Sequence, residues 1–148
     1  MGFGLGAAIG VQAGNPEKTV LHVTGDGSFR MNCNELTTVQ HYGIPVITFV
    51  FDNQTLGMVR QWQNLFYGQR YSHTTLRDKV DFVKVAEAMG AKAKRVETIE
   101  EFEAAFAEAM TCGEPYLIDC IIDSDEKVWP MVAPGGSIAD AFSEEDLT

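Results

Sequence analysis

Thr19-Val20-Leu21-His22-Val23-Thr24, running directly into Gly25-Asp26-Gly27-Ser28-Phe29, is the stretch that decides the fold. The first six residues are rich in β-branched side chains and follow the turn-forming pair Asn15-Pro16, so they read as a short buried strand. The Gly-Asp-Gly-Ser after them reads as a tight turn, its two glycines free to take backbone angles that other residues avoid. A second run has the same form. Pro45-Val46-Ile47-Thr48-Phe49-Val50-Phe51 has the pattern of a strand covered on both faces, and it ends in the loop Asp52-Asn53-Gln54-Thr55. Asp26 and Asn53 therefore stand 27 positions apart, each just past a strand. If the two strands are neighbours, both side chains lie on the carboxyl edge of the sheet, where such sheets bind their ligands.

Working outward, helices alternate with these strands. Asn34–Tyr42 reads as a helix ended by Gly43, and another is expected near Leu56–Leu65. The polar, aromatic stretch Phe66–Leu76 shows no regular pattern. Phe82, Val83, Val85, Ala86 and Met89 fit one helix face closed by Gly90, and Lys94-Arg95-Val96 is a short strand. Thr98 caps the next helix with Glu101 as its capping-box partner, and Ile99, Phe102, Phe106 and Met110 form its apolar stripe. Tyr116–Ile122 is a further buried-type strand; beyond Asp123 the chain is irregular and ends in the acidic Ser143-Glu144-Glu145-Asp146. This order predicts an α/β fold, a three-layer αβα arrangement around a mainly parallel sheet.

The opening Met1–Val11 is apolar, but about half the length of a membrane span and without a basic leader. Glycines at 2, 4, 6 and 10 suggest instead a helix packed close to another backbone. Such a buried-looking start is the expectation for a piece of a longer protein. At 148 residues and 45% hydrophobic the chain can bury one core. Its formal charge of −10 argues against nucleic acid and anionic membrane as partners, because both need basic patches. Cys33, Cys112 and Cys120 have no CxxC spacing and are odd in number, so neither a disulfide framework nor a zinc site is indicated. A reducing cytoplasm is the simplest compartment.

An Asp carboxylate and an Asn amide oxygen form a hard, oxygen-only ligand set suited to Mg²⁺ or Ca²⁺. Mg²⁺ takes few protein carboxylates and completes its octahedron with water and phosphate oxygens, while the backbone N–H groups of Gly27 and Ser28 are placed to meet those phosphates. The residues thus point to a Mg²⁺-bridged diphosphate site. The site is neither a Walker A loop, since no Lys follows the glycines, nor a GxGxxG fingerprint. Arg60 and Arg70 are candidates for steering a carboxylate, weighed against the solvated role usual for surface arginines. His22 reads as a packed core residue, His41 as a helix C-terminal cation, His73 as part of the irregular stretch and Cys33 as a small buried residue.

The Gly-Asp-Gly motif with an Asn 27 residues after its Asp resembles the diphosphate-binding motif of thiamine-diphosphate enzymes. The run Leu56-Gly57-Met58-Val59-Arg60-Gln61-Trp62-Gln63-Asn64-Leu65-Phe66-Tyr67, with Arg70-Tyr71-Ser72, is more specific and is similar to the large catalytic subunit of acetolactate synthase (acetohydroxyacid synthase). Met1–Leu5 with Ala7-Ala8-Ile9-Gly10, and Trp129-Pro130-Met131-Val132-Ala133-Pro134-Gly135, match the same family; Gly6 departs from its usual Pro. The resemblance implies that residues 1–148 are the C-terminal diphosphate-binding domain, truncated at its N-terminus, with an irregular tail over about 123–148. It further implies Mg²⁺ ligation by the side chains of Asp26 and Asn53 and the carbonyl of Thr55, with Gly25, Gly27 and Ser28 holding the diphosphate. Gly57 and Met58 would then meet the aminopyrimidine, Met1 would wedge thiamine diphosphate into its bent form, and Val59 and Trp62 would line the second-substrate pocket.

The implied activity is decarboxylating carboligation of pyruvate with a second 2-oxo acid, in branched-chain amino acid biosynthesis. The family's catalytic glutamate and its FAD-binding domain have no counterpart among these residues, so the chain alone is expected to be inactive. The whole subunit is expected as a cytoplasmic homodimer or tetramer, with a regulatory small subunit as a further partner. Two other readings stand beside it. One is a different thiamine-diphosphate enzyme, a 2-oxo acid decarboxylase or glyoxylate carboligase, against which the Gly57-Met58-Val59…Trp62 run argues. The other is a non-catalytic α/β assembly module.

Overall fold

In the computed structural model, which describes residues 1–76 and 80–147, the two runs that end in Asp26 and Asn53 are adjacent parallel strands. They are β1 (Leu21–Gly25) and β2 (Ile47–Asp52), with Gly25 opposite Phe51. β4 (Tyr116–Ile121) pairs with the other side of β2, and β3 (Lys92–Val96) pairs with β4, all parallel, in the order β1-β2-β4-β3. Parallel neighbours need crossovers, and helices supply them. α1 (Gly4–Gly14) precedes β1; α2 (Asp26–Phe29) and α3 (Leu36–His41) lead to β2. α4 (Gly57–Phe66) and α5 (Phe82–Ala88) lead to β3, and α6 (Ile99–Cys112) leads to β4. Among the described residues no helix is long and apolar enough to cross a membrane.

The period-two alternation of the strands sorts their side chains onto two cores. On one face Val50 and Leu117 pack with Leu5 of α1, Phe29 of α2, Val39 of α3 and Phe82 and Ala86 of α5. On the other, Ile47, Phe49, Tyr116, Ile118 and Cys120 pack against Ala105 and Ala109 of α6, with Phe102 and Phe106 at the margin. The three-layer arrangement is thus present. Cover on the α6 side is incomplete, however. Leu21 and Val23 of β1 and Phe51 of β2 share that face and stay exposed, so β2 is not buried on both faces along its whole length.

Other local expectations are corrected. Gly25-Asp26-Gly27-Ser28 does not form a turn of unusual backbone angles: Gly25 is extended (φ −92°, ψ 159°), and the next residues make the helical turn α2. Nor does α1 pack by its glycines along another backbone. Only Gly4 makes a close approach, to the His22 ring, while Gly10 and Gly14 face open space. In α6, Ile99 and Met110 are exposed. Alanines at 105 and 109, one turn apart, are what is buried, because small residues let the helix sit close to the sheet. The capping box is half made: Thr98 accepts from the Glu101 N–H at 3.2 Å, but the Glu101 carboxylate bonds the Glu97 N–H at 2.8 Å. Gly43 and Gly90, expected to end α3 and α5, follow them at φ +61° and +89°.

The chain after Asp123 is irregular, with short 3₁₀ turns at Ile138–Asp140 and Glu144–Leu147; Thr148, the last residue of the expected tail, lies outside the described residues. Irregularity does not leave the tail unattached. Met131 and Phe142 exchange two backbone hydrogen bonds at 2.8 Å. The buried Gln61 of α4 grips Val128 from both sides, Nε2 donating to its carbonyl at 3.0 Å and Oε1 accepting from its N–H at 2.9 Å.

Candidate functional site

Asp26 follows the end of β1 and is 2% exposed. Its Oδ1 accepts from the Gly27 N–H at 2.7 Å, whereas Oδ2 is buried with no hydrogen-bond partner among the described residues. Burial pushes this carboxyl up to about 6, and the nearby Asp52 carboxylate adds to the rise. Asp52, the buried last residue of β2, accepts from the Gln54 N–H at 3.1 Å. Asn53 follows it, and its Oδ1 accepts from the Thr55 N–H at 3.1 Å. The loop turns through Gln54 at φ +56°, a left-handed conformation that a non-glycine residue adopts at a cost of roughly 1 kcal/mol or more. Backbone bonds Leu56 N–H to Thr74 (2.7 Å) and Leu76 N–H to Gln54 (2.8 Å) hold it there. Thr55 is buried in the same loop, bridged to Thr75.

A shelf of small groups adjoins this edge. A Cβ on Gly27 would lie 2.7 Å from Leu56 Cδ2 and 3.6 Å from the Met1 methyl, so this position has room only for backbone. Met1 reaches it because the next residue is pinned: Gly2 N–H donates to Ser28 Oγ at 2.9 Å, and Asn32 Nδ2 donates to the Gly2 carbonyl at 3.1 Å. The structure thus gathers Met1, Gly25, Asp26, Gly27, Ser28, Asn53 and Thr55 at the carboxyl ends of β1 and β2. Gly57 joins them, since a Cβ there would lie 2.8 Å from Asn53 Nδ2. Gly57→Ala is therefore expected to push the Asn53 amide aside and weaken divalent-cation binding by about tenfold or more, comparable to losing an outer-shell partner. An unchanged Mg²⁺ isotherm in this variant would count against a metal role for Asn53.

One residue further along α4 the chain reaches a second feature. Met58, Val59, Trp62, Gln63, Tyr67 and Arg70 line an open cleft of about 600 Å³, within the size range of small-molecule sites. Trp62 meets Phe66 edge-on at 6.0 Å, and Phe66 in turn meets Phe142 of the tail. The two arginine candidates separate here. Arg60 is bound to Asp125 at 2.7 Å and lies 4.2 Å from the centre of the Tyr71 ring, whereas Arg70 lines the cleft.

Some residues escaped the sequence reading. Asp52, a loop opener by sequence, is the last residue of β2 and shares the buried register of Thr48 and Val50. Asp119 of β4 is fully buried; its Oδ2 accepts from Arg95 Nε at 3.0 Å, and its Oδ1 has no partner among the described residues. Burial raises its pKa, Arg95 opposes that, and Asp52 reinforces it. The available signal was a lone acid inside an apolar run. The histidines fall as expected where the structure speaks: His22 is 5% exposed with Nδ1 3.3 Å from Thr48 Oγ1, and His41 ends α3 with its ring against Tyr42. His73 is exposed, and Cys33 is half-buried and free.

Residues 1–120 match the family model of the thiamine pyrophosphate enzyme C-terminal TPP-binding domain. The chain is 51% identical over 138 residues to a protein of Methanocaldococcus jannaschii named "Probable acetolactate synthase large subunit", covering 93% of this chain and 23% of that one. To the acetolactate synthase isozyme 2 large subunit of Escherichia coli it is 47% identical over 137 residues, covering 93% and 25%. The chain thus spans about a quarter of the length of the curated relatives it matches. Among solved structures, the thiamine diphosphate-dependent 4-hydroxybenzoylformate decarboxylase of Rhodococcus jostii superposes with a TM-score of 0.79 at 32% identity, over 86% of this chain and 24% of that one.

Proposed function

Because the chain belongs to the thiamine pyrophosphate enzymes, as a C-terminal TPP-binding domain homologous to acetolactate synthase large subunits, we propose that it grips the diphosphate of thiamine diphosphate through a bridging Mg²⁺ in such a synthase. The observation that carries this reading is the orphaned Asp26 Oδ2. A buried carboxylate oxygen with no donor is costly, and a divalent cation shared with phosphate oxygens offsets that cost. Asp26 and Asn53 would offer side-chain oxygens and Thr55 its carbonyl, a hard set that fits Mg²⁺. Gly25, Gly27 and Ser28 would hold the diphosphate against backbone N–H groups, with the shelf under Leu56 kept clear by the missing side chain of Gly27. Met1, beside Gly27, would support the bend between the cofactor's two rings, and Gly57 and Met58 would border its aminopyrimidine.

When bound, thiamine diphosphate supplies the electron sink for decarboxylation of a 2-oxo acid. The chain's own work is to bind, orient and exclude water, with Val59 and Trp62 bordering the place of the second 2-oxo acid. In this reading the product serves branched-chain amino acid synthesis in the cytoplasm. The whole subunit would add FAD, the catalytic glutamate, a dimeric or tetrameric assembly and contact with a regulatory subunit.

Calorimetric titration of thiamine diphosphate into the chain tests the proposal. Binding at high micromolar affinity in Mg²⁺, abolished by EDTA, is the expected result, with no acetolactate formed when pyruvate is added. Equal heats with and without Mg²⁺ would sink the diphosphate site, and turnover above background would sink the expected inactivity.

A further inference from the structure

Gly2 is held at both of its backbone polar groups by side chains of another segment. Ser28 Oγ accepts from its N–H at 2.9 Å, and Asn32 Nδ2 donates to its carbonyl at 3.1 Å. Ser28 and Asn32 stand four positions apart on one helical turn, in which Arg30 N–H returns to the Asp26 carbonyl and Asn32 N–H to the Phe29 carbonyl, each at 3.1 Å. That spacing puts both side chains on one face. Gly2 sits at φ +77°, and a Cβ there would lie 3.1 Å from Met31 Cβ, so the clamped peptide has a conformation and a space that suit glycine. Asn32 departs from its local role to reach it. It occupies the N-cap of the 3₁₀ turn Cys33–Glu35, where asparagine ordinarily accepts from a backbone N–H, yet it makes no such bond. Its amide turns instead to a carbonyl 30 positions away.

What hangs from Gly2 is Met1. The Met1 methyl lies 3.6 Å from the place of a Gly27 Cβ, over the shelf that Leu56 closes at 2.7 Å. Met1 is 73% exposed and makes no hydrogen bond among the described residues, so the peptide behind it decides where it stands. We propose that Asn32 is a positioning residue of this site: through the Gly2 carbonyl it sets the Met1 side chain over Gly27, and so favours a diphosphate that carries a ring over bare diphosphate. The class of ligand rests on the functional reading above, in which Met1 supports the bend between the cofactor's two rings; the clamp rests on the contacts of Gly2. Ser28 has a different part. Its oxygen accepts from Gly2, which leaves its O–H free to donate to a phosphate, whereas Asn32 acts through Met1.

The test compares calorimetric titrations of thiamine diphosphate and inorganic pyrophosphate in Mg²⁺, on chains made behind a short leader so that Met1 is retained. Asn32→Leu keeps the branched shape and removes the donor. It is expected to weaken thiamine diphosphate about five- to tenfold, the usual worth of one lost hydrogen bond. Pyrophosphate should stay within about twofold of the parent, as for a site that the change does not touch. Met1→Ala is expected to weaken thiamine diphosphate to the same degree, and adding Asn32→Leu to it should weaken binding no further. Asn32→Asp, which keeps the polar shape but cannot donate when ionised, should match Asn32→Leu. Both ligands weakened alike, neither weakened, additive losses in the double variant, or parent-like affinities in Asn32→Asp would each overturn the assignment. Methyl-¹³C-methionine NMR on the ligand-free chain separates the clamp from the cofactor reading. A cross-peak between the Met1 methyl and the Gly27 Hα is expected in the parent and lost in Asn32→Leu. If the parent binds neither ligand, the cofactor reading fails and the cross-peak still decides the clamp: its survival in Asn32→Leu overturns it, and its loss upholds it.

Discussion

Asp26→Asn is expected to make the cofactor-free domain more stable and to remove its Mg²⁺-dependent binding of thiamine diphosphate. The two effects have one cause. In the free chain Asp26 is a buried carboxylate with an orphaned oxygen, facing Asp52 and held up to about 6 by burial. Its folded pKa lies above the ordinary aspartate value of 3.8, so the fold favours the protonated form. The stability this contributes is therefore present below about pH 4 and lost as the pH rises through about 6. At neutral pH the loss amounts to about 3 kcal/mol at ~1.4 kcal/mol for each pKa unit. Asparagine keeps an acceptor for the Gly27 N–H, carries no charge, and can donate toward Asp52. In EDTA the midpoint of thermal unfolding should rise by up to roughly 10 °C at pH 7 to 8, from about 2–4 °C per kcal/mol for a chain of this size. The gain should vanish near pH 4, where the parent's carboxyl is itself protonated. With Mg²⁺ and thiamine diphosphate present the order should reverse, because only the parent gains from ligation. Cofactor affinity should fall by roughly 100-fold or more, beyond what the loss of an outer-shell partner costs. A variant that is no more stable than the parent in EDTA would mean that Asp26 has a partner in the free fold. One that still binds in Mg²⁺ would mean that its carboxylate is no ligand.

The same pair of strand ends shows what the sequence could and could not reveal. Asp26 and Asn53 were legible because a parallel sheet converts two strand ends far apart in sequence into neighbours, and the apolar runs before them were unambiguous. The role of Gly27 was legible in part. A glycine at a turn can signal either backbone freedom or shortage of space, and only the packing of Leu56 and Met1 above it decides for the second. Asp52 and Asp119 lay within reach of period-two counting, which places them inward with Val50 and Leu117. Reading Asp52-Asn53 as a loop opener, and Tyr116–Ile122 only as a buried-type strand, leaves that count unused. In α6 hydrophobicity alone chose Ile99 and Met110, whereas close approach to the sheet selects Ala105 and Ala109. The grip of Gln61 on Val128 spans 67 positions of sequence and has no local signature at all.

Gly4→Ala is the second large effect expected, and it turns on a competition between helix propensity and space. Ala is worth up to about 1 kcal/mol more than Gly inside a helix, and less at the first residue of α1, where Gly4 stands. Against this gain, the new Cβ would lie 2.5 Å from His22 Nε2 and 3.0 Å from Cδ2. The ring cannot simply retreat, because it is 5% exposed and its Nδ1 lies 3.3 Å from Thr48 Oγ1 on the next strand. Overpacking of this kind costs about 1–3 kcal/mol, so the balance falls on the destabilising side, with a midpoint lower by roughly 3–6 °C. In a His22→Ser background the obstacle is gone, and Gly4→Ala should become neutral or slightly stabilising, a coupling of about 1 kcal/mol or more. Equal losses in both backgrounds would show that α1 is not seated on His22. The pH dependence gives an independent check on the same contact. Burial lowers the His22 pKa, so its folded value lies below the ordinary histidine value of 6.5, and the stability it contributes is lost as the pH falls below about 6.5. Asp26 acts in the opposite sense between about pH 6 and 4. Relative to the parent, His22→Ser should therefore gain stability on acidification while Asp26→Asn loses its advantage, two slopes of opposite sign from one side chain early in β1 and one just past its carboxyl end.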